Sequence, residues 1–404
     1  MSLNAALSIA DSGLANINQQ LALLSQNVAN ASTPSYAVET LGQQSLTAAG
    51  EPMGVLTGVA TANIDSALQA SVFAQNSAAS ALQTTTNALS SIDAVMGTPG
   101  SGTDLASLVT NLEDAFSTLS ADPSSPTEQQ AVVQSASTLA SSINALSDTY
   151  TTARQNAENS IVSEVGTINS TLSAIGTLNG QIVAAKQQGQ STADLQNQLT
   201  AQEQTLSGLI GVNFLPQSDG SVLVFTTSGL ELPTNTPNAL SVSPADIGAS
   251  ATYPGSIPPI TLAGLDVTDQ LTGGSLGANI TLRDQTLPDY QAGLDEFSQN
   301  LATRFAAQGL TLFTNGSGNV PSGGGTPVQS TYVGFASEIE VNPAVAADPS
   351  LVQDGTNAIA GSANGASAFT PNPSSGPAGF TTLITRILDY TFGADVQEGV
   401  AQPA

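Results

Sequence analysis

The first 31 residues constrain this chain more than any other stretch. Leu3, Leu7, Ala10, Leu14, Ile17, Leu21, Leu24, Val28 and Ala31 follow one another at alternating spacings of four and three. That rhythm is the a/d seam of a heptad repeat and predicts a helix with one apolar stripe. Asn4, Ser8, Asp11, Asn16, Gln19, Gln20 and Gln26 lie between the seam positions, so the opposite face is polar. A lone helix in water cannot bury such a stripe, and the segment asks for a partner helix. The plainer reading is an amphipathic helix that buries the stripe against its own domain.

Helical patterning dominates the chain as far as Leu209. The first helix should end near Asn30, because Pro34 disfavours helical geometry in the residue before it, and Asn30 to Tyr36 reads as an extended turn. Residues 37–60, with Gly42, Gly50, Pro52, Gly54 and Gly58, read as loop and short strand. A second helix is predicted from about Asp65 to Met96, broken by the Gly97–Gly102 stretch. Thr103 or Asp104 can cap a short helix carrying Leu105, Leu108, Leu112, Phe116 and Leu119 on one face. Another begins after Pro126, with Glu128 suited to the N-terminal dipole. Its stripe runs Leu139, Ile143, Leu146, Tyr150, Ala153, Ala157, Ile161, Val165, Ile168, Leu172 and Ile175. The consecutive fours between Ala153 and Val165 resemble a stutter in a coiled coil. Gly189 pauses the pattern before Leu195, Leu199, Leu206 and Leu209 begin another helix. Together these predict a long antiparallel helical rod or coiled coil.

The period then changes. Val212–Pro216, a Ser-Asp-Gly turn and Ser221–Phe225 read as a β-hairpin. Short strand-like pieces lie near Ile260 and Val267, and Ala278–Leu282 reads as one more strand. Helical spacing returns at Tyr290, Leu294, Phe297, Leu301 and Phe305 and ends towards Gly309. Gly316–Gly325 is a linker by composition, residues 340–378 form a short irregular excursion, and Phe380 to Leu388 make a short amphipathic helix. The fold class is mainly α with a small β part.

Composition excludes several kinds of chemistry. The chain has 404 residues, with 31 acidic against five basic ones and a formal charge of −26. Nucleic acid and anionic membrane surfaces are thereby disfavoured as partners. With neither Cys nor His, disulfides, thiolate nucleophiles, imidazole bases and zinc sites are unavailable. No transmembrane span and no secretory signal are recognisable at the N-terminus. Acidic runs of EF-hand spacing are missing, so no metal site is read, and no cofactor is implied.

Three constellations invite a functional reading. Asp284 with Asp289, or Asp295 with Glu296, could serve as a carboxylate acid–base pair. Adjacent Asp295 and Glu296 do not share a helix face, and surface carboxylates are the better account. Gly273–Gly277 lacks the Gly-Lys-Ser/Thr ending of a phosphate loop and any helix directly behind it. Arg283 beside Asp284 reads as an ion-pair or packing element. No catalytic residue is assigned.

Other blocks carry a resemblance. Ser25-Gln-Asn-Val-Ala-Asn30 followed by Thr33-Pro-Ser-Tyr36, behind a heptad helix, resembles the N-terminal signature of bacterial flagellar axial proteins. Gly273–Ala278, Leu282-Arg-Asp284, Leu287–Tyr290 and Leu294–Phe297 are similar to the hook-associated members that join hook to filament. Ser35 stands where the signature usually has Gly. Residues 316–378 are too short for a large outer β domain, and nothing after Phe392 resembles the second heptad helix with which members end.

The resemblance implies a structural, non-enzymatic flagellar subunit. It would be exported through the flagellar type III channel without a cleavable signal, and located extracellularly. Its implied partners are copies of itself in a ring, the hook protein and the next hook-associated protein, with an export chaperone as a further candidate. The assembly seam is Leu7, Leu14, Ile17, Leu21, Leu24 and Val28, with Asn27, Asn30, Pro34 and Tyr36 setting the turn. Residues 1–31, lacking a heptad partner in this chain, should be disordered or self-associated in solution. The domain plan has the heptad helix and turn at 1–36, a helical rod domain at 37–215 and a β-rich part at 216–285. A returning helix at 286–315, a linker with a reduced excursion at 316–378 and a short helix with tail at 379–404 complete it. The competing classes are a flagellin-like filament subunit, a surface adhesin and a secreted acidic enzyme.

Overall fold

A computed structural model describes residues 3–48, 51–323, 331–361 and 367–393. The seam segment is helix α1 (Leu3–Ala29), followed by an antiparallel ribbon of β1 (Glu39–Ala48) and β2 (Glu51–Ala62). Asp65 caps helix α2 (Ser66–Met96), its carboxylate accepting the N–H groups of Ala67 and Leu68. Helix α3 (Leu105–Ala121) is capped by Asp104, which accepts the Ser107 N–H at 3.1 Å. Helix α4 (Pro126–Gln187) starts on a proline whose missing N–H costs nothing at that position. Helix α5 (Ala193–Leu209) completes the first helical series.

Strands β3 (Val212–Pro216), β4 (Val222–Thr226) and β5 (Glu231–Leu232) form one antiparallel sheet. Strands β6 (Leu240–Ser241), β7 (Thr261–Leu262) and β8 (Leu265–Asp266) form another. Helix α6 (Gly274–Thr281) passes through a π-helical turn into α7 (Leu287–Gln308), which ends on Gly309 in the left-handed region at φ 108°. The chain is mainly α with small antiparallel sheets.

Two compact units divide these elements. The first comprises Met1–Thr85, Asn159–Pro244 and Pro258–Ile280. Its core gathers the α4 residues from Ile161 to Ile182 with Leu199, Leu206, Val224, Leu240 and Leu276. Two asparagines of α4 dock the sheets. Asn169 exchanges a pair of hydrogen bonds with the backbone of Leu240, and Asn179 does the same with Val222. Each amide imitates a neighbouring strand, satisfying backbone groups that a helix could not.

The second unit comprises Thr86–Glu158, Ala245–Ile257 and Thr281–Ala404. Its core takes the α4 residues up to Ala157 with the inward face of α3 and much of α7. Phe305 meets Phe116, Phe313 and Phe392 at ring-centroid distances of 5.6–5.8 Å. Short elements follow α7. Strand β9 (Phe313–Thr314) pairs with β10 (Glu340–Val341), and helix α8 (Phe335–Glu338) precedes β10. Helices α9 (Pro343–Ala347), α10 (Leu351–Asp354) and α11 (Thr382–Arg386) come next.

The structure corrects three expectations. Residues 37–60 hold a long ribbon rather than loop with a short strand. Two register shifts break its alternation, one of them inserting a residue in β2 opposite Leu41–Gln43, so no clean period of two shows in the sequence. Ala278–Leu282 is helical, since a short run with apolar residues at every second position does not separate strand from buried helix. Finally, a helix does begin at Gly274. Its amide donates to Ser77 Oγ at 2.8 Å, and a Cβ there would lie 2.3 Å from the Leu209 carbonyl carbon. The glycine serves close packing against the Leu209–Ile210 backbone at φ 60°.

Candidate assembly site

Helix α1 has found a partner, but through its polar face. Ile9, Ser12, Asn16, Leu23, Asn27 and Asn30 recur at helical spacing and are at least partly buried. Asn16 donates to Thr57 Oγ1 at 2.8 Å and accepts from Gln43 Nε2 at 3.0 Å. Ser12 Oγ accepts the Val55 N–H at 3.3 Å. The ribbon thus rests on α1 through amides and hydroxyls. The polar stripe supplies the hydrogen bonds that place the helix against the ribbon. The plainer reading, burial of the apolar stripe on the chain's own domain, is not what is found.

The seam faces away from the ribbon. Leu7, Leu14, Ile17, Leu21, Leu24 and Val28 are each between 58% and 69% exposed. Fully burying such a residue is worth about 1.5–3 kcal/mol, so the stripe represents a substantial unspent driving force. A contiguous apolar surface of this kind is unusual on a soluble monomer.

The turn residues gather at the end of α1. Asn27 Oδ1 accepts both the Tyr36 hydroxyl and the Glu39 N–H, while its Nδ2 donates to the Glu39 carbonyl. Asn30 accepts from the Thr33 N–H at 2.9 Å, fixing the first bend. Pro34 is exposed in the turn. Ser35 adopts φ 65°, the left-handed region that favours glycine. The resemblance places Gly at this position, and the backbone explains why.

Residues that sequence reasoning missed tie this corner to α5. Asp194 accepts from Gln26 Nε2 at 2.6 Å, and Asn197 bonds both the Ala37 N–H and the Glu39 carboxylate. Gln69 donates to Thr200 and Glu203, and Asn76 to Gln204 and Ser207. Burial pushes the Glu39 carboxyl up, Asp194 adds to this, and the Asn197 amide opposes it. The Tyr36 hydroxyl is raised by burial and by the carboxylates of Glu39 and Asp194. The polar periodicity of α1 was visible in the sequence, but nothing local pairs Gln26 with Asp194, 168 positions away.

The carboxylates considered for catalysis have structural partners. Asp284 holds Arg283 with two bonds of 2.7 Å, and Arg283 also pairs with the fully buried Glu158. Asp295 corrects the expectation of a surface group, being completely buried. It accepts the N–H groups of Gly334 and Ala336 and the Gln291 amide. Burial raises its pKa against the lowering effect of these donors. Asp289 is exposed and Glu296 half-buried. Among the described residues, no cluster of acidic side chains could hold a metal ion.

Helix α1 is folded with its heptad stripe uncovered, and this chain is mainly helical around it. The helical domain of the flagellar hook-associated protein FlgK matches residues 89–319, and the chain belongs to the FlgK family. It is also similar to the flagellar hook junction protein FlgK from Burkholderia pseudomallei, with 29% identity and a TM-score of 0.48. That match covers 63% of this chain and 45% of the Burkholderia chain, so this chain spans less than half of the relative's length. The comparison with curated proteins finds no match.

Proposed function

We propose that this chain is a structural subunit of the bacterial flagellum that forms the junction between hook and filament by self-assembly. The observation that carries the reading is the family match over residues 89–319. The uncovered stripe of α1 supports it, because an assembly subunit keeps its largest apolar face for its neighbours. The work is mechanical: seam and helical surfaces contact copies beside it, hook protein on one side and the next hook-associated protein on the other. No side chain here is assigned a catalytic role. The site is extracellular, reached by flagellar export.

Removing the gene from its own bacterium tests this. Cells should keep hooks, lose attached filaments and release filament protein into the medium, and the intact chain should restore them. Normal filaments in the deletion strain overturn the reading. Long filaments formed by the purified chain alone would favour a flagellin-like subunit instead.

A further inference from the structure

Helix α1 and the ribbon form an arm that is hydrogen-bonded to the start of α5. The joint is polar. Asn197 accepts the Ala37 N–H at 2.8 Å and donates to the Glu39 carboxylate at 2.9 Å. Gln26 of α1 donates to Asp194 at 2.6 Å. Ser191, just ahead of α5, donates to the Ala60 carbonyl of β2 at 2.8 Å.

Two carboxyls meet inside this joint. Glu39 is 3% exposed and lies within hydrogen-bonding reach of Asp194, which is open to water. The other groups around Glu39 are Asn27 from α1, Tyr36 from the turn, Ala62 across the ribbon and Asn197 from α5. Asp194 and Tyr36 are thus the titratable groups that face it. Among the described residues no cation balances the pair. The one basic side chain within the first unit, Lys186, donates to the Ser218 carbonyl instead.

Two carboxylates in contact repel, most strongly where one of them is out of water. A proton on Glu39 turns that repulsion into a hydrogen bond from a carboxyl O–H to a carboxylate oxygen, which is a short and strong kind. Burial and the nearby Asp194 both favour keeping the proton on Glu39, while the Asn197 amide opposes this.

We propose that Glu39 and Asp194 form a proton-operated latch: protonated Glu39 closes onto Asp194 and fixes the arm on α5, and the joint slackens when both are ionised. The seam lies on this arm, so the latch governs how firmly the assembly stripe is held. Because the fold raises Glu39, closure is complete below the ordinary carboxylate range and is lost as pH rises through the raised value.

The chain contains no cysteine, so Gln19→Cys on α1 and Ser173→Cys on α4 place two unique thiols for spin labels, both at exposed positions. Pulsed electron resonance on the dilute monomer reads the distance between them. From about pH 5 to about pH 8 the width of the distance distribution should roughly double. Glu39→Gln cannot ionise and still donates to Asp194, so its distribution should stay narrow throughout, and Asp194→Asn should behave likewise. A parent distribution that does not change with pH overturns the latch. A pH change of the parent's size in either variant overturns it as well.

Discussion

The Tyr36 hydroxyl donates to Asn27 Oδ1 at 2.8 Å, and that oxygen also accepts the Glu39 N–H at 3.0 Å. With Asn27 Nδ2 on the Glu39 carbonyl at 2.9 Å, one amide at the end of α1 sets both the turn and the first residue of the ribbon. Asn27→Ala strands both backbone groups of buried Glu39 and should cost roughly 2 kcal/mol. Tyr36→Phe loses a single bond and should cost less. Amide exchange at Glu39 and its strand neighbours should accelerate most in Asn27→Ala and less in Tyr36→Phe. Unchanged exchange in Asn27→Ala would show that the ribbon holds itself.

Leu21 is exposed in the middle of the α1 stripe. Leu21→Glu should therefore leave thermal stability within about 0.5 kcal/mol of the parent while preventing incorporation into flagella. Calorimetry reads the first effect and immunogold labelling of isolated flagella the second. Normal incorporation of the variant would remove the seam from the assembly mechanism.

Burial in the α5 interface pushes Glu203 up to about 8, from an ordinary value of 4.5. The folded state thus holds a proton that the unfolded chain releases near pH 4.5. Stability is fully present below that pH, falls as pH rises towards about 8, and levels off above. The slope is about 1.4 kcal/mol per pH unit between those limits. Glu203→Gln should flatten this slope and raise stability at pH 8, as read by urea titrations across the range. An unchanged slope would show that Glu203 ionises freely in the fold.

Asp295 and Asp289 separate structural from surface carboxylates on one helix. Asp295→Ala removes the acceptor for two N–H groups and an amide in the second unit's interior and should cost about 3 kcal/mol or more. Asp289→Ala, exposed on the same helix, should stay within about 0.5 kcal/mol. Equal melting temperatures for the two variants would contradict the assignment.

Gly274 combines φ 60° with backbone neighbours 2.3–2.4 Å from any Cβ placed there. Gly274→Ala should lower stability by more than about 2 kcal/mol, whereas Gly293→Ala, with open space around it, should be neutral or mildly stabilising. Thermal melts of the two variants check the contrast.

Much of the helical architecture could be read from local signals. Asp104 and Pro126 start helices and Gly309 ends one because caps act within a few residues. The long stripe of α4 was visible as a period, and Ile143, Ile161, Ile168 and Ile175 are fully buried. The signal failed where partners are remote. Asp295 reads as a surface residue until Gly334 and Ala336, about 40 positions away, are folded onto it. The ribbon was hidden by its own bulges. For the seam, periodicity gave the stripe but not its direction, because Asn16 and Asn27 turn the polar face inward only when Thr57 and Glu39 are beside them.

That inward polar face has a thermodynamic corollary. Water ordered along the exposed stripe of α1, a helix about 40 Å long, is released only when another apolar surface covers it. Association through the seam is then driven by entropy near room temperature and carries a negative heat-capacity change. Such an assembly loosens on cooling, so its subunits should separate more readily in the cold than at moderate warmth.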